Sequence, residues 1–385
     1  MSLELIEQVK TPAFVYSYED LVDTMGTIQQ VIGEVGAGNW IAYSYKTNPN
    51  LAPYLAAQGC AMQVTSVGHL AEISSLLDAS VMKNCFYCSG SMAAEDADLV
   101  VKSDVYIVVD SLSQLETVSQ AAERNGQQPR VLVRVDAGQT AIDSPFGTSG
   151  MLQGIDLKCL QDLLNEPRKN IRIVGIHNHF GSQVNSLNAW KQNIEAIAAA
   201  VCELDYPLEV LNLGGGIPIP YDNVKSLSIY EIYSRCLFPS LERIKQVHPE
   251  LRLVVEPGRF LVGPCGYLVT QVTNLHSTST KRGANLDVSL FAAFQDRFLS
   301  NLEFQLPVLK PQASTMESAE TILRGSSPAS IDYFGVYNNL APRTISACQS
   351  ADFLHWVSLV PNEYLQGYYD YYDTEAFHKT ANAPV

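Results

Sequence analysis

The chain has 385 residues, 46% of them hydrophobic and 17% charged, with a formal net charge of −15. That length accommodates a large barrel with a smaller second domain. The charge argues against a nucleic acid or an anionic membrane as partner, because both need a positive footprint, so any phosphate site must be built locally. No run of about 18 apolar residues is present to cross a bilayer, and the opening MSLELIEQVKTPAF lacks the basic-then-apolar order of a signal peptide. Eight cysteines scattered through apolar stretches then fit a reduced, cytoplasmic protein.

In chain order, the first strand signal is Ala13-Phe14-Val15-Tyr16, which precedes the first barrel helix and is placed to pair with a later domain. Eight short apolar runs follow: Trp40 to Tyr45, Ala61 to Val64, Cys85 to Cys88, Tyr106 to Val109, Val131 to Val135, Ile173 to Ile176, Val210 to Leu213 and Leu253 to Val255. Each is separated from the next by enough chain for a helix, and AWKQNIEAIAAAVC (Ala189 to Cys202) has the amphipathic spacing of one. Strict alternation predicts parallel pairing with helical crossovers. Cys85 and Cys88 form one C-x-x-C in the third run; a buried strand accounts for both, and no second pair completes a metal site.

Polar residues decide between an open sheet and a closed barrel. Lys46, Ser66, Gly90, Ser111, Asp136, His179, the triplet Gly214-Gly215-Gly216 and the stretch Glu256 to Arg259 each follow one of the runs. A barrel gathers all eight carboxyl ends around one mouth, whereas an open sheet offers a crevice at its switch point. The prediction is an eight-stranded (β/α)8 TIM barrel over residues 18–259. Beyond Arg259, Gly266 to Val272 and Asp287 to Phe291 read as strands without long helices between. Residues 1–17 and 260–385 therefore form a β-rich second domain, ending in a frayed HKTANAPV.

Lys46 ends the apolar run in YSYKTNPN. Alone it reads as a solvated lysine; in a barrel mouth, desolvation favours the neutral amine that attacks an aldehyde. Three glycines in LNLGGGIPIPY let backbone N–H groups approach an anion, or simply make a flexible turn. Loops after strands seven and eight commonly build the phosphate site of a barrel, and Arg259 lies on the eighth. Glu256 is placed to hold a pyridine nitrogen protonated, or to pair with Arg259. His179, in GIHNHFGSQ, can stack on a planar ring, Ser182 can donate to a phosphate, and His177 shares the inward face of the strand.

Together TPAFVYSYEDL, YSYKTNPN, VTSVGHLAEI, VVDSLSQLE, VRVD, SPFGTS, GIHNHFGSQ, LNLGGG and VVEPGRFLVGPCGYLVTQV resemble the fold-type III pyridoxal-phosphate decarboxylases of the diaminopimelate, ornithine and arginine group. The resemblance runs over about the first two-thirds of the chain. It implies an alanine-racemase-like barrel, pyridoxal 5′-phosphate as cofactor, Lys46 as its Schiff-base lysine, His179 stacked on the ring and Glu256 at the pyridine nitrogen. It assigns the phosphate to Ser182, Gly215, Gly216 and Arg259 and places Gly214 and Gly258 in the cofactor site, with a tyrosine from the last third on the phosphate, for which Tyr369 has the best spacing and Tyr364 is second. It further implies a homodimer with shared active sites, in which Asp332 of GSSPASID meets the substrate of the partner subunit. Where the family carries a cysteine in that motif, this chain has Pro328, and Ala329 stands where an acid is expected; Cys348 is a candidate substitute. SLFAAFQDRFL replaces the Arg-Pro-x-Leu-Tyr of diaminopimelate decarboxylases. The stretch EPGRFLVGPCGYLVTQV is most similar to the branch serving siderophore and other secondary pathways, some of whose substrates carry a large or carrier-bound tail. The reaction implied is removal of the α-carboxylate of an amino acid or amino-acid-derived intermediate; the missing cysteine leaves open a racemase, a lyase or an inactive regulatory homologue.

Overall fold

Parallel strands need a crossover that brings the chain back to the same end of the sheet, and helices supply it here. The computed structural model describes residues 9–138, 146–147, 153–166, 168–221, 225–293, 320–337, 345–349 and 370–373. After β1 (Ala13–Tyr16) come β2 (Trp40–Ser44), β3 (Ala61–Val64), β4 (Phe86–Cys88), β5 (Tyr106–Val109) and β6 (Arg130–Asp136). Two short strands, β7 (Phe146–Gly147) and β8 (Ile155–Asp156), precede β9 (Arg172–His177), β10 (Gly181–Ser182), β11 (Val210–Asn212) and β12 (Arg252–Val255). The pairing runs β2-β3-β4-β5-β6-β9-β11-β12 and back to β2, all parallel, and closes the predicted eight-stranded barrel.

Side chains from alternate strands fill the barrel. Strands β2 and β4 are not neighbours, yet the Trp40 and Phe86 rings lie 6.0 Å apart, so both point inward. Phe86 stacks at 4.9 Å on Tyr106 of β5. The Arg252 guanidinium lies 4.9 Å from the Trp40 ring, and that of Arg130 lies 4.0 Å from Tyr106. All five residues start their strands, so this layer closes the amino-terminal end with cation–π contacts.

Two polar residues grouped with the reactive set have a local duty instead. Ser66 accepts a hydrogen bond from the His69 N–H and caps helix Val67–Leu76; Ser111 does the same from Gln114 for helix Leu112–Asn125, which Gly126 ends in the left-handed region. An N-cap hydroxyl satisfies a backbone N–H that has no partner inside the helix.

Gly175 of β9 packs so tightly on β11 that a Cβ there would overlap the Val210 carbonyl. Gly175→Ala is therefore expected to destabilise the barrel by about 1–3 kcal/mol, the usual cost of overpacking. Urea unfolding monitored by far-ultraviolet circular dichroism checks this; an unchanged midpoint refutes it.

The chain divides into two compact units: Met25–Ile219 with Ser226–Phe260, and Met1–Thr24 with Pro220–Lys225 and Leu261–Val385. The second contains β1 and the later strands β13 (Gly266–Ser277), β14 (Arg282–Leu286), β15 (Thr321–Arg324), β16 (Tyr333–Tyr337), β17 (Ile345–Gln349) and β18 (Asp370–Asp373). Their order is β16-β15-β14-β13-β1-β18, with β17 also on β13. As expected, β1 joins this sheet, antiparallel to β13. The strand predicted over Asp287 to Phe291 does not form. The Asp287 carboxylate takes the Thr270 hydroxyl at 2.5 Å and the Gln271 N–H at 3.1 Å, and Ser289 then starts a single helical turn, Leu290–Ala293. Tyr364, Tyr369, the stretch after Ala293 in SLFAAFQDRFL and the HKTANAPV tail lie outside the described residues.

Candidate active site

At the carboxyl end of the barrel, β2 and β12 are tied together beyond their ladder. The Ser44 hydroxyl donates to the Glu256 carbonyl at 3.0 Å, and the Ser44 N–H to the Pro257 carbonyl at 3.1 Å. Gly258 lies against the same turn, where a Cβ would overlap Thr47. Lys46 follows on the 3₁₀ turn Tyr45–Thr47. Burial pulls its amine below the ordinary lysine range; Cys88 and the Glu256 carboxylate draw it back up, and the Arg134 guanidinium pushes it down again. Cys88 ends β4 two residues after inward-facing Phe86, so period-two alternation turns it into the same interior. Burial, then Glu256, pushes its thiol up to about 12. Among the described residues no group of three or more His, Cys, Asp or Glu side chains could hold a metal.

Glu256 is only 6% exposed. Its Oε1 accepts from Asn212 Nδ2 at 2.7 Å, and its Oε2 lies 3.3 Å from His177 Nε2. His179 Nδ1 accepts the Gly215 N–H at 3.2 Å, which leaves the ring proton on Nε2. Burial first, then Arg134, Lys46 and His177, holds this imidazole well below the ordinary histidine range, so it is neutral at physiological pH. Arg134, buried in β6, donates to the His179 carbonyl at 3.1 Å and fixes that loop.

The glycine triplet is packed rather than open. A Cβ would come within 2.5 Å of the Asn178 carbonyl at Gly214, 2.5 Å of the Glu256 carbonyl at Gly215 and 2.6 Å of the Gly181 carbonyl at Gly216. Gly214 and Gly216 have φ of +64° and +104°, which other residues rarely adopt. The Gly214 N–H donates to Asn212 Oδ1 at 2.9 Å and the Gly215 N–H to His179. These two amides are bonded inside the site. Gly216 lies beside Gly181 and thus next to Ser182 of β10, and Arg259 opens the turn Arg259–Val262 after β12.

Asp332 belongs to the other unit and is wholly buried. Its Oδ1 accepts the Leu290 N–H at 2.8 Å and its Oδ2 the Ser327 N–H at 2.9 Å. Within this chain it holds its own loop. Arg324 donates to the Pro328 and Ala329 carbonyls at 3.3 and 3.0 Å, so the stretch lacking the family cysteine is pinned. Cys348 pairs with Leu268 in the β13–β17 ladder.

Sequence reading missed Arg134, Asn212 and His177 as a group around Glu256 and His179. The signal was present: a charge in VLVRVD and an amide in VLNLGGG interrupt strands that are otherwise buried and apolar, where a polar side chain needs a partner. The donor set fits pyridoxal phosphate. A buried amine disfavoured as ammonium can condense with an aldehyde, a buried carboxylate can face a pyridinium, and a neutral imidazole sits between them and a glycine loop.

Residues 25–263 match the family model described as pyridoxal-dependent decarboxylase, pyridoxal binding domain. The chain belongs to the pyridoxal-dependent decarboxylases. Within that family it is 26% identical over 310 residues to the diaminopimelate decarboxylase of Methanocaldococcus jannaschii, covering 75% of this chain and 69% of that protein. The crystal structure of diaminopimelate decarboxylase from that organism in co-complex with L-lysine superposes with a TM-score of 0.80 at 21% identity, covering 97% and 89% of the two chains. The lysine decarboxylase of Selenomonas ruminantium gives 0.77 at 18% identity, covering 99% of each. Both structures share the alanine-racemase-like barrel with its carboxyl-terminal β domain. This decarboxylase therefore uses pyridoxal phosphate as cofactor and is a carboxy-lyase of amino acids.

Proposed function

We propose that this decarboxylase removes the α-carboxylate of an amino acid or amino-acid-derived intermediate in a secondary or siderophore-type pathway, with Lys46, His179 and Glu256 at the reacting centre. The observation that carries the reading is that Lys46, Glu256, Arg134 and His179 interact at one barrel mouth, with the Gly214–Gly216 loop bonded to them. When bound, pyridoxal phosphate supplies the sink for the electron pair released with carbon dioxide.

Lys46 Nζ would hold the cofactor, and burial, which disfavours its ammonium form, suits it to take up and return a proton. Glu256 holds the proton of the ring nitrogen. His179, as a neutral imidazole, would pack on the cofactor without adding positive charge to it. Ser182, Gly216, Gly258 and Arg259 take the phosphate, with Tyr369 as a further contact. A second copy of the chain completes the site as a homodimer, and the protein works in the cytoplasm, a setting consistent with the free state of Cys60, Cys85, Cys88, Cys159, Cys202, Cys236 and Cys265.

Pro328, Ala329 and the SLFAAFQDRFL stretch favour a substrate other than diaminopimelate. Carbon dioxide release from diaminopimelate, lysine, ornithine, arginine and larger-tailed or carrier-bound amino acids tests this. The expected result is a kcat/KM at least about tenfold higher for a larger-tailed substrate, the size of effect that about 1.4 kcal/mol produces. Diaminopimelate as the best substrate refutes the branch assignment, and the absence of carbon dioxide from every substrate refutes the reaction.

A further inference from the structure

We propose that His177 and Asn212 form a two-point clamp on Glu256, as positioning residues that keep its carboxylate charged and in one orientation for the cofactor ring nitrogen. The proposal rests on the assignment of Glu256 to that nitrogen made above.

Three consecutive strands build the clamp. His177 ends β9 and Asn212 ends β11, directly paired in register, and Asn212 pairs with Val254 of β12, two residues before Glu256. Alternation puts Val254 and Glu256 on one face, so the backbone ladder itself sets the three side chains side by side. Each carboxylate oxygen has one clamp partner, Asn212 Nδ2 at 2.7 Å and His177 Nε2 at 3.3 Å. An ionised carboxylate has about four acceptor sites, so capacity remains for a third donor. Hydrogen bonds to the charged form favour that form.

The tautomer of His177 follows from its other nitrogen. Nδ1 is buried and has no hydrogen-bond partner among the described residues, in a residue 1% exposed. With the proton on Nε2, that nitrogen donates to Glu256, and Nδ1 is an unused acceptor. A doubly protonated ring would leave an orphaned N–H in the interior, the costlier arrangement. A neutral His177 leaves the carboxylate's charge uncancelled opposite the cofactor nitrogen. A protonated His177 would cancel it. Asn212, with no exposure, also accepts the Gly214 N–H at 2.9 Å. One amide thus joins the Glu256 carboxylate to the glycine loop.

The test loads the cofactor-free dimer or monomer, as purified, with ring-15N pyridoxal phosphate. It records the ring-nitrogen resonance and, by fluorescence titration, the cofactor Kd. Glu256→Gln is the reference and moves the resonance toward the unprotonated position. His177→Leu is expected to move it the same way and to weaken cofactor binding about 10- to 100-fold, the loss typical of a hydrogen bond to a charged group. His177→Gln restores both toward wild type, because its amide N–H replaces Nε2–H. His177→Asn, whose shorter amide stops near the Nδ1 position, behaves as His177→Leu and carries the test if the leucine variant does not fold. A resonance that moves in Glu256→Gln but stays in His177→Leu and His177→Asn overturns the clamp. So does a His177→Gln variant as impaired as either. A resonance unmoved by Glu256→Gln overturns the assignment of Glu256 itself.

Discussion

Lys46→Ala is expected to lower turnover at least ~10³-fold and to abolish covalent retention of pyridoxal phosphate. Carbon dioxide release measures the first, and borohydride trapping followed by peptide mass spectrometry the second. Among the described residues the other basic groups of the site cannot replace it: Arg134 stays a guanidinium, and the imidazole of His179 is held by the Gly215 amide. A variant that still releases carbon dioxide at the wild-type rate refutes the assignment. The same side chain carries a stability signature. Burial lowers the Lys46 pKa, so the unfolded chain binds a proton that the folded chain resists. Unfolding then takes up protons, and stability rises with pH until the ordinary lysine value is passed. Lys46→Met in the cofactor-free protein is therefore expected to raise the thermal midpoint at pH 7, with the gain shrinking toward pH 10. A midpoint that falls instead shows that the amine is better paired than its surroundings indicate.

Glu256→Gln is expected to reduce kcat about 100-fold and to lower the thermal midpoint, because its amide N–H must face one of the two buried donors, Asn212 or His177. Two unit charges about 4 Å apart at an effective dielectric near 20 attract by roughly 4 kcal/mol before desolvation costs, and about two-thirds of that survives as ~10² in rate. The substitution preserves volume and leaves the bonds from the Ser44 hydroxyl to the Glu256 carbonyl and from the Glu256 N–H to the Gly214 carbonyl in place. The loss is therefore of charge. Steady-state kinetics on any accepted substrate measures it, and a kcat within threefold of wild type refutes the electrostatic role.

Much of this architecture was legible because its period is simple. Apolar runs such as Tyr106 to Val109 and Val210 to Leu213 became strands almost residue for residue, since a strand buried on both faces needs no polar alternation. Lys46, His179 and Glu256 stood out because each breaks such a run at its carboxyl end. Asp287 to Phe291 was misread because its Asp and Ser make side-chain-to-backbone bonds that compete with a strand, which apolar counting does not see. Ser66 and Ser111 looked reactive by position alone, whereas their hydroxyls cap helices. Gly214 and Gly215 were read for what they bind, but their packing against the Asn178 and Glu256 carbonyls depends on neighbouring loops far away in sequence. Asp332 shows the same limit: its motif was visible, but its enclosure by the Leu290 and Ser327 amides was not.

The layer of Trp40, Phe86 and Tyr106 beneath Arg252 and Arg130 makes the barrel a blind vessel. Reactant, gas and amine then traffic through a single doorway. An amine product lingering there would shut out the next reactant, so product inhibition is expected to be competitive in form.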